Sequence, residues 1–302
     1  MHKLKCYFII NPISGFANQH RFPVLLDRYI DKQQFSYEYV FTSYAGHATV
    51  LAAEAVRQGI DCVVAVGGDG TINEVAAQLV NQPVKLGIIP QGSGNGFARH
   101  LGISLSPRKA LMQLNHAHTV QMDTGMINGK YFFNVSGAGF DGHISQIFAQ
   151  QQQRGFTRYL RIVLHEFQKF QAMPYRYQVD GEWMNGQYFL IAIANSSQYG
   201  NNAVIAPNAR PDDGLLDIVF MKKFPSYLLP SITLKGMLGQ LESSRYVRTF
   251  QTNHLIIECP EKTPVHIDGE YYETGNRLEV KVVPKSLHIL APSYQIRRRD
   301  LL

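Results

Sequence analysis

The rhythm of apolar and polar positions changes near Asp123. Before it, short runs rich in β-branched residues alternate with stretches whose Ala, Leu and Val recur at helical spacing. Residues 6–10, 36–42, 62–66 and 85–89 read as strands, and residues 21–32, 47–58 and 97–101 as helices, with another helix starting near Thr71. Such βα alternation predicts a parallel sheet with right-handed crossovers, and it lines Asn11, Thr42 and the segment 67–71 along one sheet edge. After Asp123 short strands dominate, at residues 119–127, 130–135, 175–180, 188–194, 215–221, 245–252, 255–258, 265–268, 278–283 and 287–290. Asn128-Gly129 between the first two is a strong hairpin signal. One long helix is expected over residues 143–172 and a second, with several exposed-looking apolar residues, over 224–241.

The loops that follow the first-half strands carry the candidate chemistry. Gly67, Gly68 and Gly70 end a buried strand and allow close backbone approach, and the helix beginning behind them favours an anion. Thr71 and Glu74 stand as a T-x-x-E capping box at that helix start. Asp69 lies inside the turn and would repel a phosphate unless a metal, a hydroxyl or a protein donor intervened, which suggests a Mg-nucleotide. No G-x-x-x-x-G-K-[ST] loop is present, and the dinucleotide fingerprint needs Gly or Ala where Asn73 stands. Two more loops, Asn11-Pro12-Ile13-Ser14-Gly15 and Pro90-Gln91-Gly92-Ser93-Gly94-Asn95-Gly96, sit where α/β sheets bind ligands. His47 and His100 lack a second ligand at metal spacing and read as capping or surface residues.

Composition narrows the class. A length of 302 residues, 45% hydrophobic and 17% charged, suits two globular domains. No apolar run reaches the ~18–20 residues of a membrane span, and the apolar part of the N-terminus is too short for a signal peptide, so the expected location is cytoplasmic. Cys6, Cys62 and Cys259 lack metal spacing and read as reduced, mostly buried thiols. The net charge of +6 favours anionic partners. Nucleic acid is not expected, because the basic residues are dispersed apart from Arg297, Arg298 and Arg299, whereas an anionic membrane surface gains about 1 kcal/mol per nearby Lys or Arg. A homodimer stays open.

Asn11-Pro12-x-Ser14-Gly15, then Gly67-Gly68-Asp69-Gly70-Thr71, then Pro90-x-Gly92-Ser93-Gly94-Asn95, in that order and spacing, resemble the catalytic domain of the diacylglycerol kinase family. The closer likeness is to its soluble bacterial lipid kinases of the YegS, BmrU and DgkB group. The resemblance implies an α/β N-terminal domain with a parallel sheet, NAD kinase/phosphofructokinase-like, and a β-sandwich-like C-terminal domain. The expected boundaries are 1–122, with 292–302 returning to it, and 123–291. It also implies ATP-dependent phosphorylation of a lipid hydroxyl, with Mg-ATP between the domains, its phosphates over the Gly67 to Thr71 turn and help from Asn11, Thr42 and Ser93. Asn73 and Glu74 complete the expected nucleotide set.

Two Asp-Gly-Glu triplets occur later, and Asp180-Gly181-Glu182 reads as a plain hairpin turn. Asp268-Gly269-Glu270 resembles the family's C-terminal acidic motif, which supplies the general base on the lipid hydroxyl. Glu270 is the first choice and Asp268 the second, with Asp69 the third acid of the expected catalytic set. Arg210-Pro211-Asp212-Asp213-Gly214-Leu215 resembles the family's structural magnesium site, with a carboxylate from Asp213 and carbonyls from Arg210 and Leu215. Two alternatives remain: an NAD kinase-like enzyme, which shares the glycine turn, and a catalytically silent nucleotide or lipid sensor. The Gly92-Ser93-Gly94-Asn95 loop departs from the Gly-Thr-Ala-Asn form of many bacterial members and does not decide the lipid.

Overall fold

The structure, a computed structural model, describes residues 3–15, 21–150 and 156–292. By its internal contacts the chain forms two units, one within Met1–Met122 and Ser286–Leu302, the other Asp123–Lys285. The first contains β1 (Leu4–Ile10), α1 (Phe22–Tyr29), β2 (Phe35–Phe41), α2 (His47–Arg57), β3 (Cys62–Gly67), α3 (Asp69–Leu79), β4 (Lys85–Pro90), α4 (Gly96–His100) and α5 (Pro107–Leu114). Its strands run parallel in the order β2-β1-β3-β4. All of β3 is buried, which explains its unbroken apolar run, since a parallel strand covered on both faces has no wet side to mark. Cys6 and Cys62 lie opposite each other in the β1–β3 register, and all three cysteines are free and buried.

Helix α5 escapes the sequence reading. Its buried positions Ala110, Leu111 and Leu114 form a narrow stripe among Arg108, Lys109 and Gln113, too short to stand out as a helical period.

The chain then continues through β5 (His118–Ile127), β6 (Lys130–Phe132), β7 (Val135–Gly139), α6 (Phe140–Ala149), α7 (Phe156–Lys169), β8 (Met173–Val179), β9 (Glu182–Tyr188), β10 (Leu190–Ala194), β11 (Leu216–Met221), α8 (Leu229–Met237), β12 (Val247–Thr252), β13 (His254–Glu258), β14 (Val265–Ile267), β15 (Glu270–Tyr272) and β16 (Arg277–Ala291). In the second unit β13 pairs antiparallel with both β8 and β16, and β8 with β9. A separate antiparallel sheet runs β12-β11-β10-β7-β14-β15. Ile191, Ile193, Ile218 and Phe220 join a core with Tyr177, Leu255, Ile257 and Leu278 from the β8–β13–β16 sheet. Alternate residues Leu190, Ala192, Val219 and Met221 point the other way, into a cluster with Phe140, Phe167 and Phe224. Both faces of β10 and β11 are therefore buried, one under a sheet and one under helices.

Several expectations need correction. The single helix expected over 143–172 is two, α6 and α7, the first starting at Phe140 straight after β7. Gln150 follows α6, while Gln151, Gln152 and Gln153 lie outside the described residues, as does the tail beyond Pro292. The two expected C-terminal strands are one, β16, with Lys285 at φ of 48° inside it and its N–H bonded to the Asp123 carboxylate. The helix expected over 224–241 shortens to α8 plus a 3-10 turn at Ser226–Leu228. Asn128 and Gly129 do form the β5–β6 turn with positive φ at both residues, and Asp180 and Gly181 do the same between β8 and β9.

Candidate functional site

The loops at the carboxyl ends of the first four strands are stitched side by side by backbone hydrogen bonds. Thr42 N–H donates to Ile10 O at 2.8 Å, Asn11 N–H to Val66 O at 2.9 Å and Gln91 N–H to Gly67 O at 2.7 Å. The Asn11 side chain reinforces the row, its Nδ2 donating to Thr71 Oγ1 at 3.0 Å while its Oδ1 accepts from Ile13 N–H. The glycines have an internal reason. A Cβ on Gly92 would stand 2.7 Å from Gly68 Cα, one on Gly68 would stand 3.2 Å from Gly92 Cα, and one on Gly67 would strike the Thr71 side chain. The β3–α3 turn and the β4–α4 loop thus touch backbone to backbone.

Asp69 locks that contact. Its Oδ2 accepts from Asn95 N–H at 2.9 Å and its Oδ1 from Gly96 N–H at 3.1 Å, so the carboxylate of one loop caps the helix that leaves the other. Burial raises the Asp69 pKa above the ordinary carboxylate value, and the two backbone donors and Arg99 oppose the shift. Asn95, in the left-handed region at φ 53°, closes the loop on itself by bonding both the N–H and the carbonyl of Gly92. Asn95 was visible in the motif but not singled out, because its role depends on Asp69 lying against it. Ser93 is exposed at the loop tip, and Asn73 is half-buried on α3.

The capping box is not formed. Helix α3 starts at Asp69 with Gly68 as its N-cap, so Thr71 already lies inside it and cannot serve as the cap. Glu74 turns away and accepts from Gly46 N–H at 3.2 Å and Ala48 N–H at 3.1 Å, capping the neighbouring helix α2. His47 joins the same end, its Nδ1 accepting from Ser43 N–H. Glu74 is therefore a bracket between two helices. Glu74→Ala should lower unfolding stability by about 1–2 kcal/mol, read as a lower urea midpoint with unchanged slope, because two N–H groups lose their acceptor.

In the second unit the structure separates the two acids of the Asp268-Gly269-Glu270 turn. Asp268 and Gly269 have φ of 48° and 87° and form the tip of the β14–β15 hairpin. The Asp268 carboxylate accepts from Phe133 N–H at 2.8 Å and Asn134 N–H at 2.9 Å, so it anchors the hairpin. Glu270 opens β15 and is exposed. Beneath the turn, buried His266 accepts from Gly269 N–H through Nδ1 and faces Asp141 through Nε2, at 3.0 Å in each case. That leaves the proton on Nε2 and makes Asp141 its acceptor. Tyr199 also donates to Asp141.

A continuous chain of hydrogen bonds links this hairpin to the 210–215 loop. Asn195 Nδ2 donates to the carbonyls of Phe133 and Asp123, and Asp123 in turn accepts from Gly214 N–H at 2.7 Å and Lys285 N–H at 2.7 Å. Asp123 is buried, and nothing in its sequence neighbours marks it as a hub rather than a domain boundary. Arg210 pairs with Asp212, and Asp213 accepts from Leu215 N–H at 3.0 Å. Burial pushes the Asp213 pKa up, and the neighbouring Asp212 and Asp123 carboxylates add to the rise. A cation there would relieve this crowding. Among the described residues no three His, Cys, Asp or Glu side chains form a metal cage. A set of one carboxylate with carbonyls, as expected from Asp213, Arg210 and Leu215, would suit an ion that keeps waters, such as Mg2+, better than a caged Ca2+.

Comparison with known proteins matches both halves. The diacylglycerol kinase catalytic domain profile covers residues 5–127, and the YegS C-terminal NAD kinase beta sandwich-like domain covers 134–291. A protein of Pseudomonas aeruginosa named "Probable lipid kinase YegS-like" is 34% identical over 82% of each chain. The diacylglycerol kinase of Bacillus subtilis is 29% identical over 97% of this chain and 98% of its own. A crystal structure of a diacylglycerol kinase from Bacillus anthracis str. Sterne superposes with a TM-score of 0.69 at 20% identity over 95% of this chain and 96% of its own, and a second chain from that organism with 0.79 at 22%. These superpositions show the same fold. With stitched glycine loops in one unit, an acid-tipped hairpin in the other and relatives matching across both, the chain belongs to the diacylglycerol kinase catalytic-domain family, in its YegS-like lipid kinase branch.

Proposed function

We propose that this protein transfers the terminal phosphate of Mg-ATP to the hydroxyl of a lipid, with diacylglycerol the first acceptor to test. The observation that carries the reading is the start of α3, where the Gly67-Gly68 turn, packed backbone to backbone against Gly92, runs into a helix whose N-cap is a glycine with no side chain of its own. Asn11, which donates to the Thr71 hydroxyl, stands beside that turn, and Thr42 lies one strand further out, bonded to the end of β1. Phosphoryl transfer asks the protein chiefly to position the phosphates and stabilise their charge, which backbone N–H groups and a helix terminus do. Glu270 would take the proton of the acceptor hydroxyl. Asp213 with the carbonyls of Arg210 and Leu215 would hold Mg2+, and Asp69 would set the phosphate loop. When bound, magnesium neutralises charge on the phosphates or on the acidic loop. The names of the relatives support a lipid acceptor. No helix among the described residues is long and apolar enough to cross a membrane, so the acceptor would be met at a bilayer surface.

The test is label transfer from ATP and Mg2+ by the purified protein, offered separately diacylglycerol, phosphatidylglycerol, a sphingoid base, ceramide and NAD. Label on diacylglycerol is the expected result, and label on another lipid would rename the acceptor. Label on NAD would move the protein to the NAD kinase-like reading. ATP binding with no label on any acceptor would leave a silent sensor.

A further inference from the structure

The α8 segment is apolar on two sides. Leu228, Leu229 and Ile232 pack inward against the cluster around Phe167, Phe189, Val219 and Phe224. The outward side carries Tyr227, Leu234, Met237 and Leu238, each more than half exposed. Leu234 and Leu238 stand at i and i+4 on one helical face, with Met237 beside it and Tyr227 in the 3-10 turn that leads into the helix. Single exposed apolar residues are ordinary on protein surfaces. Four large ones within residues 227–238 make a patch, and patches of this kind are covered in use.

The charges around the patch choose its occupant. From Phe224 to Leu241 the only charged residue is Lys235, with no acid. Lys222, Lys223, Arg245 and Arg248 flank the segment against the single acid Glu242. Strand pairing brings two of these together: Lys222 N–H bonds Tyr246 O, next to Arg245. Arg245 is also close enough to Tyr227 to interact with its hydroxyl. Two copies meeting about a two-fold axis on this face would press these basic groups together. An anionic bilayer accepts both halves of the pattern, taking apolar side chains and Tyr at the headgroup level and pairing the basic rim with its charge.

We propose that the outward face of α8, with its rim of Lys222 and Arg245, is the surface by which this protein lies on an anionic lipid bilayer. The inference deepens the lipid kinase reading, since a water-borne enzyme acting on a bilayer lipid must dwell at that surface. It is tested without nucleotide or reaction, by flotation with phosphatidylcholine vesicles that contain or lack phosphatidylglycerol.

The wild type should float with phosphatidylglycerol vesicles and far less with phosphatidylcholine alone. Leu234→Ser, Met237→Ser and Leu238→Ser combined should weaken flotation by about tenfold or more, with the thermal melt kept near that of the wild type. Lys222→Glu with Arg245→Glu should abolish the preference for the anionic vesicles and leave the apolar patch intact. Phosphorylation of a detergent-dispersed acceptor should be unchanged in both variants. Vesicle binding that ignores both sets of substitutions would overturn the proposal, as would a wild type that binds no vesicles. A dimer that the triple variant dissociates, with vesicle binding unchanged, would make the face a subunit contact instead. Transfer to dispersed lipid without vesicle binding sinks this surface and leaves the kinase reading standing. Vesicle binding through α8 without transfer to any acceptor does the reverse.

Discussion

Glu270→Gln should lower kcat by about a hundredfold or more while leaving ATP affinity near the wild-type value. Gln keeps the size and hydrogen-bonding reach of Glu but cannot accept a proton at neutral pH, so the substitution removes the basic chemistry and little else. Glu270 is exposed at the start of β15, and a change there disturbs little packing. Asp268→Asn supplies the contrast. Its carboxylate accepts from the N–H groups of Phe133 and Asn134, and an amide can accept with only one of its two atoms. That variant should lose about 1–3 kcal/mol of stability, and its activity should fall with its folded fraction. Steady-state kinetics and urea unfolding on both proteins separate the roles. Normal turnover in Glu270→Gln would take the base away from Glu270, and a large kcat loss with full stability in Asp268→Asn would hand it to Asp268.

The second large effect is expected at Asp69. Asp69→Ala should weaken nucleotide binding and turnover together, each by about a hundredfold, because the Gly92 to Asn95 loop loses the carboxylate that holds it against the α3 turn. Two N–H groups at the start of α4 would be orphaned inside a buried site, so the urea midpoint should fall as well. Calorimetric titration with ATP distinguishes a brace from a reacting group. Asp69→Asn with intact ATP affinity and no turnover would make Asp69 a participant in the chemistry, and full activity in Asp69→Ala would dissolve the phosphate-loop assignment.

The bilayer face belongs to the same picture from the opposite side of the reaction. Nothing on α8 performs chemistry, and its value would lie in the time the protein spends where its acceptor is. Variants there should move KM for vesicle-borne lipid and leave kcat for dispersed lipid alone, a split that Glu270→Gln should not produce.

The sequence by itself determined the strands and most of the helices of the first unit and the meeting of the glycine loops at one edge, but not α5 or the division of the later elements. Apolar runs such as Cys62–Gly67 and the βα alternation are local signals that burial reinforces. The Asn128-Gly129 and Asp180-Gly181 turns were equally legible, because a turn with positive φ at two adjacent residues restricts which amino acids can occupy it. Partners distant in sequence were not. Glu74 satisfies the T-x-x-E pattern of its own helix yet caps α2, because that pattern cannot register a helix packed alongside. Asp69 and Asp268 both read as free acids suited to chemistry, and both spend their oxygens on backbone N–H groups. Those donors lie 26 to 27 residues from Asp69 and 134 to 135 from Asp268. Only tertiary structure decides such cases, since a carboxylate's role depends on which donors the fold brings within about 3 Å, and sequence spacing carries no record of that distance.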